Sequence, residues 1–179
     1  MTEPSVRRAH ATDLKPLAAA LGDRQLLDDR LRRQRQGRGM LFVAWLGNCL
    51  AGAVYLWLEE AEEPPITRHL PGVPLIMHLA VRPHLRNQGV GKALVETVEE
   101  YLVARGHEQV ALAVRTDNAD AARLYRRLGY RDWGYGTIVC YAETTLANGL
   151  IERVEEPCHV MVKSLAEVPE QAARVVAFR

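Results

Sequence analysis

The sequence predicts a mixed α/β domain, and three observations carry that expectation. Short β-rich runs alternate with segments of helical periodicity along most of the chain. A strand–helix–strand–helix unit occupies the centre, from about residue 75 to residue 128. Glycine, proline and asparagine punctuate the junctions. At 179 residues, 48% hydrophobic and 25% charged, the chain suits one domain with a real core. Its expected limits are 1–165, with 166–179 as a tail or short helix.

SVRRAH reads as a first strand. Thr12 or Asp13 then caps a helix with Leu14, Leu17 and Leu21 on one face, closed by Gly22. Residues 23–36 form a second helix with Leu26, Leu27 and Leu31 inside and Arg30, Arg32, Arg33 and Arg35 mostly outside. MLFVAWLG and CLAGAVYLWLE make a hairpin across Gly47 and Asn48. EEAEEPPITRHLPGVP, rich in glutamate and proline, is expected as a loop. LIMHLAVRP is a nearly continuous apolar strand stopped by Pro83. Val90, Leu94, Val98, Tyr101 and Leu102 recur at helical spacing until Gly106. VALAVR is another strand, and Asn118–Leu128 a helix with Ala121, Leu124, Tyr125 and Leu128 on one side. TIVCYAE and CHVMVKSL are the last strands, around a turn near Asn148 and Gly149.

Composition narrows the function. Lys plus Arg is 23 against 22 for Asp plus Glu, a net charge of +1. That balance argues against a nucleic-acid partner, whose backbone calls for a clear basic excess. Cys49, Cys140 and Cys158 form no CxxC pair and no metal-ligand spacing, so no metal is expected. MTEPSVRRAH lacks the apolar core of a signal peptide, and no apolar run approaches the ~18 residues of a membrane span. The expected compartment is the cytoplasm, without a membrane partner.

The sharpest motif is RNQGVGKAL, residues 86–94, whose composition suits a phosphate-holding loop. A P-loop requires a glycine where Arg86 stands and a hydroxyl where Ala93 stands. A dinucleotide fingerprint requires a third glycine where Leu94 stands, and QVALAV at 109–114 supplies no acidic ribose ligand. The pattern R/Q-x-x-G-x-G/A, in contrast, is met in full by Arg86, Gly89 and Gly91. A helix N-terminus there offers unpaired N–H groups and a positive dipole end to an anion. Glycine at 89 and 91 admits phosphate oxygens without a Cβ, and Arg86 and Lys92 add charge.

On these residues the chain resembles the GNAT superfamily of acyl-CoA-dependent N-acyltransferases. LAVRPHLRNQGVGKAL resembles its pyrophosphate-binding strand–loop–helix, and NADAARLYRRLGYRDW its second signature. The element order fits residues 5 to about 164. The resemblance implies a central mixed, mostly antiparallel sheet of six to seven strands flanked by about four helices. It implies acetyl-CoA as co-substrate and direct transfer to a primary amine, on a small molecule or a peptide. The residues implied to hold coenzyme A are Leu79, Ala80, Val81, Arg86, Asn87, Gln88, Gly89, Val90, Gly91, Lys92, Asn118 and Tyr125. The Val81 N–H is implied to polarise the thioester carbonyl as an oxyanion donor. Tyr125, two helical turns after Asn118, is implied to protonate the departing thiolate, although a tyrosine there also serves as a core aromatic. Dimerisation through the late strands is a further implication, so a homodimer is an expectation.

The general base is left open. The positions that often carry Glu or His in the family hold Leu75 and Met77, and strand alternation turns His78 to the opposite face as a structural histidine. Glu59, Glu60, Glu143 and a water chain remain. Ala113 stands where peptide-N-terminal acetyltransferases of the superfamily carry a Glu. The acidic run at 59–63 suits a cationic amine, the arginines at 30–38 an acidic acceptor or the coenzyme's phosphates, and both also read as solvated surface.

Overall fold

The structure, a computed structural model, describes residues 2–165, so the expected tail at 166–179 lies outside the described residues. The elements are β1 (Ser5–Arg8), α1 (Leu14–Leu21), α2 (Arg24–Arg35), β2 (Gly39–Leu46), β3 (Cys49–Trp57), α3 (Pro64–His69), β4 (Leu75–Val81), α4 (Val90–Val103), β5 (Gln109–Arg115), α5 (Ala119–Arg127), β6 (Arg131–Thr145) and β7 (Ile151–Ser164). One sheet takes the strands in the order β1-β2-β3-β4-β5-β7-β6. Only β4 and β5 pair in parallel; the other pairings are antiparallel.

Helices cover both sheet faces, so the central strands are apolar on both sides. In β2, Met40, Phe42 and Ala44 join the cluster under α4, and Leu41 and Val43 join the cluster with Leu17 of α1 and Leu27 and Leu31 of α2. Helix α4 anchors the first cluster through Val90, Leu94, Val95, Val98 and Leu102, a spacing of three and four that puts one stripe inward. On the second side the Asp23 carboxylate caps α2 by accepting from the Leu26 N–H at 3.0 Å.

The feature that organises the molecule is in β4. Its register against β3 pairs Met77 with Tyr55 and Ala80 with Ala53, so His78 and Leu79 together oppose Val54. This is a β-bulge, and His78 carries its strain at φ 51°. Beyond it the sheet opens. β4 and β5 share only Leu75↔Ala111 and Ile76↔Leu112, whereas β5 stays paired with β7 from Gln109 to Arg115. A gap therefore separates Leu79–Val81 from the second half of β5.

Four expectations change. The segment after β3 is not all loop: Pro64 and Pro65 start α3, where a missing N–H and a fixed φ suit the first turn. His69 at its end stacks on Tyr135 at 3.8 Å, tying α3 to the irregular start of β6. With α3 the α-helices number five among the described residues. The last two strands are longer than TIVCYAE and CHVMVKSL. Arg30 is not outside but 8% exposed, because it shares the buried face of α2 with Leu27, Leu31 and Gln34. His78 is not on the face opposite Met77: the bulge turns both toward α2, and His78 is exposed.

Candidate active site

The main chain of β4 defines one wall of the site. The Arg82 N–H bonds the Ala51 carbonyl on β3 at 2.9 Å. Hydrogen-bonding direction alternates along a strand, so Ala80 also faces β3 while the N–H and C=O of Leu79 and Val81 face the gap. The Val81 carbonyl accepts from Arg86 Nε at 3.4 Å. Small Gly52 lets β3 come this close: a Cβ there would lie 2.5 Å from the Ala80 oxygen and 3.3 Å from Val81 Cα.

The loop that follows turns through two left-handed residues, Asn87 at φ 60° and Gly89 at φ 80°, and Gly89 is the N-cap of α4. The first N–H groups of α4 have no partner inside the helix and point at the loop. Gly91 also has a packing role that the motif did not suggest. A Cβ at 91 would stand 3.3 Å from Leu124 Cδ2, so its absence lets α5 approach α4. Lys92 is exposed and lies 3.7 Å from Glu96 one turn on.

A cavity of about 1380 Å³ runs from this wall between α4 and α5. It brings together Leu79, Ala80 and Val81 of β4, Arg86, Asn87, Gly89, Val90, Gly91 and Lys92 of the loop and α4, and Asn118 before α5. Gln88 is not in its lining: the Gln88 amide turns back to the His84 carbonyl at 3.4 Å. Tyr125 is not in the lining either. Arg123, Arg127 and Lys163 are, and reading the sequence missed them. The two arginines, four apart on α5, were discoverable as one cationic helix face. Lys163 comes from the last strand, beside Val110 of β5, and nothing local announces it.

Asn118 is the N-cap of α5, its Oδ1 accepting from the Ala121 N–H at 3.2 Å. Tyr125 is buried at 6% exposure, its ring edge-on to Tyr130 with centroids 5.6 Å apart. Its hydroxyl makes no hydrogen bond among the described residues, yet is not one of their fully enclosed unpartnered atoms, so it keeps an opening. Burial raises its pKa well above the ordinary tyrosine value, which keeps the phenol protonated at neutral pH. Behind it, the Tyr130 hydroxyl donates to Glu99 at 2.9 Å and Lys163 Nζ to the other Glu99 oxygen at 2.7 Å. Tyr130→Phe is expected to cost about 1–2 kcal/mol of stability, because the partly buried carboxylate keeps Lys163 but loses one donor. Urea unfolding measures it, and an unchanged midpoint would remove the hydroxyl from the support of this wall.

None of the candidate bases lines the cavity. Glu59 is held by Arg33 at 2.7 Å and Arg38 at 3.3 Å. Glu60 accepts from the Gly72 N–H at 3.3 Å, and Glu143 lies 4.0 Å from Arg153 on the β6–β7 hairpin. Burial pushes the Cys140 thiol far up, which leaves it a poor nucleophile.

Among the described residues no helix is long and apolar enough to cross a membrane. Residues 7–130 match the family model described as the acetyltransferase (GNAT) family. Among curated proteins, a mycothiol acetyltransferase of Renibacterium salmoninarum is 33% identical over 70 residues, which are 39% of this chain and 21% of that protein. An acetyltransferase of Pectobacterium atrosepticum, ECA0875, is 36% identical over 75 residues, 42% of this chain and 48% of that one. The chain thus spans about a fifth to a half of the curated relatives it matches first. Among solved structures, the ribosomal-protein-S18-alanine N-acetyltransferase of Escherichia coli superposes with a TM-score of 0.65 at 18% identity, over 93% of this chain and 97% of that one. At that identity the likeness is one of fold.

Proposed function

Because the chain belongs to the acetyltransferase (GNAT) family, we propose that it transfers the acetyl group of acetyl-CoA to a primary amine, the acceptor being a small molecule. The single observation that carries this reading is the opening of β4 from β5 beside a helix N-terminus. It presents fixed main-chain N–H groups on one side and an anion cradle on the other, at the two ends of one cavity.

The cavity fits such a donor. Its lining carries Arg86, Lys92, Arg123, Arg127 and Lys163 against Glu96 and Asp120, a surplus of positive charge suited to a diphosphate. The unpaired N–H groups of Val90, Gly91 and Lys92 receive phosphate oxygens, and Leu79 and Val81 offer main-chain partners to an amide-containing arm. Asn87 lines the turn, and Asn118 fixes the start of α5.

In the reaction the amine nitrogen attacks the thioester carbon from the open side of the gap. The Val81 N–H stabilises the negative charge that grows on the carbonyl oxygen. As the C–S bond breaks, Tyr125 gives its proton to the sulfur, and the nitrogen loses its proton to water. For that step the Tyr125 hydroxyl has to reach the sulfur, and no hydrogen bond among the described residues holds it elsewhere.

Free-thiol release from acetyl-CoA across a panel of amines tests the proposal. Coenzyme binding without release on any amine would point instead to a binding domain. Arg86→Ala is expected to raise the KM for acetyl-CoA about five- to tenfold while kcat holds, the smaller end reflecting the exposure of Arg86. Steady-state kinetics checks this, and a change in kcat alone would take Arg86 out of donor binding.

A further inference from the structure

The acetyltransferase reading leaves one group of side chains unused, on the face of the sheet opposite α4 and α5. Arg30 of α2 is nine-tenths buried, its guanidinium carbon 4.6 Å from the Tyr55 ring centroid and 5.6 Å from that of Trp57. Its Nε is fully enclosed and unpartnered. Its nearest carboxylate oxygen, on Asp29, is 3.6 Å away, and Asp29 also serves Arg32 and, at 2.9 Å, Arg33. Glu62 acts on Arg30 and Asp23 on His78 only through space, and among the described residues neither forms an ion pair with Arg30. A buried cation without a carboxylate of its own is expensive, and the expense suggests that something else completes it.

The remaining strong contact of Arg30 is with His78, Nη2 to Nε2 at 3.1 Å. A guanidinium only donates, so Nε2 accepts and the imidazole is the neutral Nδ1–H tautomer. Its only basic nitrogen is thereby capped, which rules it out as a general base in this arrangement. What remains is a donor. The Nδ1–H has no partner among the described residues, and His78 is exposed at the bulge, one residue before the main chain of Leu79 that faces the gap. The cavity lies on the α4–α5 face, so an acceptor that approaches across the gap from the other side comes from the α2 face, where His78 stands.

We propose that His78, positioned by Arg30, reads a carboxylate on the acceptor, so that the amines this chain acetylates are amino acids or other amino-carboxylates. The proposal rests on the acetyltransferase reading. One N–H donor backed by one buried guanidinium suits a singly charged planar anion; a phosphate asks for more donors, and a polyamine meets a like charge. Arg30 is a positioning residue as well as a source of charge, because it selects the tautomer.

The test is thiol release with ω-amino acids, their carboxamides of equal length, α-amino acids and a polyamine. Each carboxylate is expected to exceed its carboxamide at least tenfold in kcat/KM, with most of the difference in KM. Arg30→Gln and His78→Asn are expected to bring that ratio close to one. Asparagine tolerates the positive φ of residue 78, so the second variant keeps the test open if the first does not fold. Nitrogen-15 spectra of the imidazole give a readout that packing alone does not move. His78 is expected as the Nδ1–H form titrating at about 4, held down first by the protein packed around its ring, although the residue as a whole stays exposed, and then by the Arg30 charge. In Arg30→Gln that value is expected to rise toward the ordinary 6.5. Equal use of carboxylates and carboxamides, a preference for the polyamine, or a ratio that survives both variants overturns the proposal while leaving an acetyltransferase. No thiol release with any amine removes the acetyltransferase reading, and the proposal with it.

Discussion

Tyr125→Phe is expected to lower kcat about a hundredfold, with the KM for acetyl-CoA little changed. A positioned general acid contributes on the order of 10²–10⁴ in rate, and the lower end fits a thiolate, which is a good leaving group. Phenylalanine keeps the edge-on contact with Tyr130 and fills the same volume, so the expected stability change is small. The loss should follow leaving-group basicity: a donor with a more acidic thiol suffers less from the missing proton. Steady-state kinetics with thioesters of graded thiol acidity measures this. Near-full turnover in Tyr125→Phe would leave the tyrosine as a core aromatic and nothing more.

Gly52→Ala should have the next largest effect, and it reaches a group that side-chain substitution cannot touch. The oxyanion donor proposed here is a main-chain N–H, and it is held in place from behind by β3. An added Cβ would meet the Ala80 carbonyl oxygen at 2.5 Å, and backbone cannot turn aside as a flexible side chain can. β4 must move outward into the gap. The expected results are a stability loss of about 1–3 kcal/mol from overpacking and a kcat lower by about ten- to a hundredfold from a displaced donor. Thermal melts and kinetics on the same preparation separate the two. A variant less stable but fully active would show that the position of Val81 does not limit the reaction.

What the sequence made legible follows from how local each feature is. Residues 86–94 are consecutive, so their turn, helix start and charge could be read together. Asn118 and Tyr125 share one helix, and α4 declares itself through its apolar stripe. The gap was not legible in physical terms, because it depends on one extra residue in β4. Alternation counted from Met77 places His78 on the wrong face, and only the register against Tyr55 and Ala53 exposes the bulge. Arg30 was legible in part. Its spacing from Leu27, Leu31 and Gln34 put it on the buried face, but its arginine neighbours made solvent the simpler reading. Lys163 and Glu99 meet across 64 positions in the chain, a closeness set by the order of strands rather than by any nearby residue.

The bulge also has a bearing on how such an enzyme changes its substrate. In the proposed reaction the donor is met at the open edge of β4 by N–H and C=O groups that any amino acid supplies. On the α2 side, in the proposal above, the acceptor is read by the side chain of His78, which leans on Arg30. Substitution at 78 therefore alters what approaches without rewriting how the acetyl group is held. Residues 30 and 78 are accordingly the positions at which to build a library of altered acceptor preference, leaving 79–92 as they stand.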